Sequence, residues 1–323
     1  MQQIVVREHA GQLAHLQEVV ERAKEYARQA KAENTLRAYR SDWAHFEEWC
    51  SRQGLTPLPA APATVALYIT ALAEAGRTVS TIRRRLASIS AVHQAAGHQS
   101  PTQDMQVKTI WAGIRRAKGT AQRQVAPVVT EHLRAIVGAL QLDTLAGLRD
   151  RALLLVGFIG AFRRSELVGL NVEDLTPTAE GFVVTLRRSK TDQEGEGETK
   201  AIPYGANAET CPARALRAWL DAAGITSGPV FRAVNRHGQV SARRLSDRAV
   251  ALIVKRSVEA VGLDASRFSG HSLRAGFATA AARAGASERD IARVTHHKSD
   301  RVLRRYIRDA QVFDNAALSA VGL

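Results

Sequence analysis

Only two cysteines, Cys50 and Cys211, occur in 323 residues, too few for a disulfide framework and without metal-ligand spacing. No apolar run approaches the ~20 residues that cross a bilayer. The best, ALLLVGFIGAF at 152–162, has the length of a buried core helix. The opening MQQIVVREHAGQLAH has no apolar signal segment, so a cytoplasmic location without a membrane partner is expected. Internal repeats and low-complexity tails are missing. No carboxylate cluster suits magnesium, and neither a metal nor another cofactor is expected.

Negative charge is also scarce. Lys and Arg total 45 against 31 Asp and Glu, a formal charge of +14, which favours a polyanionic partner. The imbalance is local. Residues 1–50 carry 7 basic and 8 acidic side chains, 51–120 carry 9 and 2, and 201–323 carry 19 and 10. Two basic regions suggest two modules that both face the polyanion.

Hydrophobic periodicity in the first half is helical. TLRAYRSDWAHFEEWC spaces Leu36, Tyr39, Trp43, Phe46 and Trp49 along one helix, with Asn34 or Thr35 as cap. PLPAAPATVALYITALAEAG predicts a turn and a helix ending at Gly76. TVSTIRRRLASISAVHQAAG predicts another, capped by Ser80 and Thr81, and 106–119 a fourth. KGTAQRQVAP lacks apolar periodicity, which sets the expected domains at 1–117 and 129–323, with a linker at 118–128. Beyond it, helices at about 130–141 and 146–159 precede a strand at 180–189 and its hairpin partner at 199–205. Three more helices follow, in PARALRAWLDAAG, LSDRAVALIVKRSVEAVG and SLRAGFATAAARAG. The expected fold is mainly α: a helical bundle, then a mainly helical α+β domain with a small antiparallel sheet.

Four pieces carry chemistry together that none carries alone. GAFRRSELVGL places Arg163 and Glu166 one turn apart, alone an ordinary surface ion pair. RRSKTDQEG puts Lys190 at the hairpin tip, where a solvated lysine is the default. SGHSLRAGFAT sets His271 and Arg274 on one helical face. HHKSDRVLRRYIRD, 296–309, reads as a basic helix with Tyr306 nine residues after His297. Two guanidiniums can clamp phosphate oxygens bidentately. A tyrosine hydroxyl becomes a nucleophile once deprotonated, and a lysine can protonate the leaving oxygen. That set meets the needs of metal-free phosphodiester cleavage, with arginines as the charge stabilisers. Tyr26, Tyr39, Tyr68 and Tyr204 fall on apolar faces or a strand end and read as structural.

In order and content these motifs resemble the tyrosine recombinase (phage integrase) family, from roughly Lys31 to Leu323. GAFRRSEL looks like the first arginine box, which carries over Arg163 and supporting Glu166. SKTDQEG looks like the loop supplying the lysine, Lys190. GHSLRAGFA is similar to the H-x-x-R box, giving His271 and Arg274. THHKSDRVLRRYIRD looks like the final box, giving His297 and the nucleophile Tyr306. The family usually has Gly before its last histidine and in the first box, where this chain has His296 and Ala161.

The resemblance implies a SAM-like core-binding bundle ahead of a catalytic domain, the two clamping duplex DNA. NTLRAYR and STIRRRLAS resemble groove-entering helices, which makes Arg37, Arg83 and Arg84 candidate contacts, with Arg248 in the second domain. Each suits guanine edges or phosphates. It further implies a 3′-phosphotyrosine intermediate, a Holliday junction and inverted-repeat half-sites. A monomer in solution would assemble as a homotetramer on two sites, through the apolar tail at 310–323. A type IB topoisomerase shares the catalytic set, and a non-catalytic DNA-binding regulator would need only the basic helices.

Overall fold

A computed structural model describes residues 19–22, 26, 33–119, 125–187, 197–296, 304, 306 and 307. Lys190, His297 and the tail at 310–323 lie outside them. The chain divides into two compact units, Met1–Arg123 and Gln124–Leu323.

Among the described residues the first unit holds α1 (Glu33–Arg52), α2 (Pro62–Glu74), α3 (Val79–Ala95) and α4 (Met105–Lys118), with residues 19–22 and Tyr26 also helical. Apolar positions at helical spacing meet in one core of Phe46, Cys50, Tyr68, Ile69, Ile82, Ile89 and Val107. Two predicted caps shift. Asn34 and Thr35 lie inside α1 and do not precede it. α3 is capped by Thr78, whose hydroxyl accepts the Thr81 N–H at 3.3 Å, leaving Ser80 and Thr81 in the first turn. Tyr26 is 71% exposed, not packed in a core as expected.

In the second unit α5 (Thr130–Gly138), α6 (Leu145–Ile159) and α7 (Arg164–Gly169) precede a three-stranded antiparallel sheet. Its strands, β1 (Leu175–Thr178), β2 (Gly181–Leu186) and β3 (Glu198–Pro203), pair in the order β1-β2-β3. Then come α8 (Pro212–Ala222), a ribbon of β4 (Arg232–Val234) and β5 (Val240–Arg244), α9 (Asp247–Glu259), α10 (Ser272–Arg283) and α11 (Glu288–Thr295). From Ala152 to Phe158 α6 is apolar on every side, because that half is buried at the centre of the core. α8 packs on it through Trp219, whose indole N–H donates to the Val230 carbonyl at 2.8 Å. The sheet turns Phe182, Val184 and Leu186 inward, opposite Ile202, Lys200 and Glu198 respectively. Among the described residues no helix is long and apolar enough to cross a membrane.

Candidate active site

The arginine box leaves α6 through a tight turn. Gly160 is in a helical conformation, and Ala161 turns into the left-handed region at φ 45°, uncommon for a residue with a Cβ. That turn points the Ala161 carbonyl at Arg274, whose Nη1 donates to it at 2.7 Å. Arg163 then caps α7. Its backbone N–H donates to Glu166 Oε2 at 2.9 Å, and its Nη1 donates to Oε1 of the same carboxylate. Glu166 is 6% exposed, so the pair is no surface ion pair. A buried carboxylate neutralises and orients one guanidinium, leaving its remaining donors to other partners.

α10 brings the second arginine. Arg274 sits in its first turn, 1% exposed, and its Nη2 is buried with no hydrogen-bond partner among the described residues. Burial, then the Arg163 cation, lower its pKa to about 10, which keeps it charged at neutral pH. The linkage through Ala161 sets the two guanidiniums at one place, from elements separated by most of the unit. His271 stands at the N-cap of α10, and its Nε2 lies 3.0 Å from the Tyr306 hydroxyl. Desolvation of the ring, then Arg274, Arg163 and Arg164, lower its pKa below 6.5, although the residue as a whole is exposed. Tyr306 is helical, and its half-buried side chain packs with Ile307 against Ala278, Ala282 and Ile291.

Where α11 ends, His296 takes the left-handed conformation at φ 49°, so the predicted helix at 296–309 does not include it. Its ring meets Glu198, Nδ1 to Oε2 3.1 Å, and its carbonyl accepts from Arg163 Nη2 at 3.4 Å. The structure thus brings Arg163, Glu166, His271, Arg274 and Tyr306 into one site. It also adds a residue that the sequence reading passed over. Lys200 on β3 is 5% exposed, donates to the Val294 carbonyl, and holds its Nζ 5.4 Å from the centre of the Phe162 ring. The signal was available in ETKAIP, where strand alternation puts Lys200 on the face of buried Ile202.

The arginines chosen for DNA contact differ among themselves. Arg37, Arg83 and Arg248 are exposed, and Arg37 pairs with Glu33 at 3.1 Å. Arg84 is held from two sides by Asp42, at 2.6 and 2.9 Å, and Asp42 is 3% exposed. Beside it, Arg85 Nη1 reaches the Tyr68 hydroxyl at 3.0 Å, and His45 Nδ1 meets the same hydroxyl at 2.9 Å. Among the described residues no three His, Cys, Asp or Glu side chains are grouped to hold a metal ion.

Residues 128–312 match the phage integrase family, and 20–100 match its N-terminal SAM-like domain. The chain is 45% identical over 301 residues to an integrase/recombinase xerD homolog of Selenomonas ruminantium, covering 92% of this chain and 88% of that protein. It is 24% identical over 302 residues to recombinase cre of Escherichia phage P1, covering 87% and 86%. Its fold is similar to that of a lambda integrase tetramer bound to a Holliday junction, at TM-score 0.59 and 17% identity, covering 91% and 78%. The chain belongs to the phage integrase family. It is a tyrosine-type site-specific recombinase, an enzyme that breaks and rejoins DNA strands.

Proposed function

We propose that Tyr306 attacks the scissile phosphate, so that its oxygen bonds to phosphorus as the bond to the 5′ oxygen breaks. The product is a 3′-phosphotyrosyl link and a free 5′-hydroxyl. His271 takes the phenol proton across the 3.0 Å contact. Arg163, oriented by Glu166, and Arg274 stabilise the charge gathering on the non-bridging oxygens. Lys190 protonates the leaving oxygen, and His297 adds a contact to phosphate. These two roles follow from the motifs, as both residues lie outside the described ones. Reversal by a hydroxyl from the partner duplex rejoins the strand without ATP or a metal, because the covalent link keeps the bond energy.

The observation that carries this reading is the buried Arg274 Nη2, a charged donor without a hydrogen-bond partner among the described residues. Burying such a group is costly unless an anion meets it. Four protomers on two sites exchange strands through a Holliday junction, each site an inverted repeat of half-sites. The first unit binds DNA, the second carries the chemistry, and the tail at 310–323 docks on a neighbour. A duplex selected by the protein from a randomised library, nicked beside its cleavage position, traps the covalent adduct. Tyr306→Phe is expected to bind this duplex as wild type does and to form no adduct. Cleavage by Tyr306→Phe would refute the assignment, and relaxation without exchange on a two-site plasmid would indicate a topoisomerase.

A further inference from the structure

A lysine on the inward face of a strand is unfavourable unless its ammonium is engaged. Alternation on β3 puts Glu198, Lys200 and Ile202 on one face. Ile202 enters the core, and the other two reach the carboxyl end of α11. Lys200 Nζ donates to the Val294 carbonyl, and Glu198 lies 3.1 Å from the His296 ring. Two grips, two residues apart on both partners, fix the direction of residues 294–296 as well as their position. His296 there is left-handed, and its carbonyl faces Arg163 Nη2 at 3.4 Å. The same ammonium stands 5.4 Å from the centre of the Phe162 ring, the residue before Arg163. Lys200 therefore lies against both the arginine box and the end of α11.

We infer that Lys200, with Glu198, is a positioning residue for strand cleavage, holding the end of α11 so that Arg163 and Tyr306 meet the same phosphate. The inference rests on the reading of Tyr306 as nucleophile. The groups facing Lys200 are Arg274 on α10, Arg163 and Glu166 at α7, Glu198 on its own strand and His296 after α11. Burial outweighs them and brings Lys200 to about 8, so the ammonium holds at pH 7 and gives way above pH 8. Arginine at this position would stay charged throughout that range.

The test uses full-length protein on the nicked, library-selected duplex. Lys200→Met keeps the stem and removes the charge. It is expected to bind with unchanged affinity and to form the adduct about 10²-fold more slowly in a single turnover, the scale of a small misplacement. A 5′-bridging sulfur, which leaves without a proton, should rescue Lys190→Ala and not Lys200→Met. Lys200→Arg should recover part of the rate, and a larger share at pH 9 than at pH 7. Wild-type adduct formation by Lys200→Met overturns the proposal. Full rescue by sulfur also overturns it, because Lys200 would then be the proton donor. Should Lys200→Met fail to fold, Glu198→Gln removes the other grip, and wild-type cleavage by that variant overturns the proposal equally. An adduct in Tyr306→Phe, run alongside, strikes the nucleophile reading itself.

Discussion

On the proposed reading the His271 ring, 3.0 Å from the Tyr306 hydroxyl, can accept its proton only while uncharged. Desolvation and the cations Arg274, Arg163 and Arg164 lower its pKa below 6.5, so the ring is neutral at pH 7. Acid charges the ring and removes the base, which gives the effect its sign. Adduct formation should fall about tenfold per pH unit below that pKa. His271→Asn should lose about 10²-fold at neutral pH and lose the acid limb with it. Rates measured from pH 8 to 5 check this, and an acid limb that persists in His271→Asn belongs to another group. At this scale His271, Arg274, Arg163 and Tyr306 were legible because each sits in a contiguous motif. Lys200 was not, because its role depends on the end of α11, 94 residues away in sequence, crossing β3.

α10 delivers His271 and Arg274 together, so its direction matters more than its helicity. Gly276 fixes that direction. A Cβ there would stand 1.9 Å from the Val128 carbonyl oxygen and 2.7 Å from its carbon, backbone that cannot rotate aside. The same segment is tied to α10 by Val128 N–H donating to the Ser272 carbonyl at 2.9 Å. Glycine-to-alanine in a free helix interior stabilises by roughly 0.5–1 kcal/mol. Here the sign should reverse, with Gly276→Ala costing about 1–3 kcal/mol and slowing cleavage as Arg274 and His271 shift. A melting temperature at or above wild type would show that this crossing is looser than described. Periodicity predicted the helices well because apolar spacing at 3.6 residues is a property of each segment alone. The β4–β5 ribbon escaped it, since RAV and VSARR bury little and alternate weakly. What shapes the ribbon is its turn, where Asn235 Oδ1 accepts the His237 and Gln239 N–H groups at 2.9 and 3.0 Å, ahead of Gly238 at φ 77°.

Over the whole molecule a charge of +14 predicts DNA affinity that falls steeply with salt, since every neutralised phosphate releases counterions. Two adjacent arginines on α3 separate that contribution from folding. Arg83 is exposed, and Arg83→Ala should leave melting unchanged, weaken binding and flatten the salt slope by about one unit. Arg84 is half exposed and bound in two places to buried Asp42, for which Arg85 is a second, more distant partner at 3.6 Å. Arg84→Ala leaves a buried carboxylate short of donors. It should lower the stability of the first unit by about 1–3 kcal/mol, with any loss of DNA affinity following from the disturbed helix pair. Arg84→Lys should restore little, because one ammonium cannot replace a two-point grip. The measurement is a salt titration of binding beside a thermal melt for each variant. An Arg84→Ala protein that melts as wild type but loses salt slope would put Arg84 on the DNA, and an Arg83→Ala protein with an unchanged slope would take Arg83 off it.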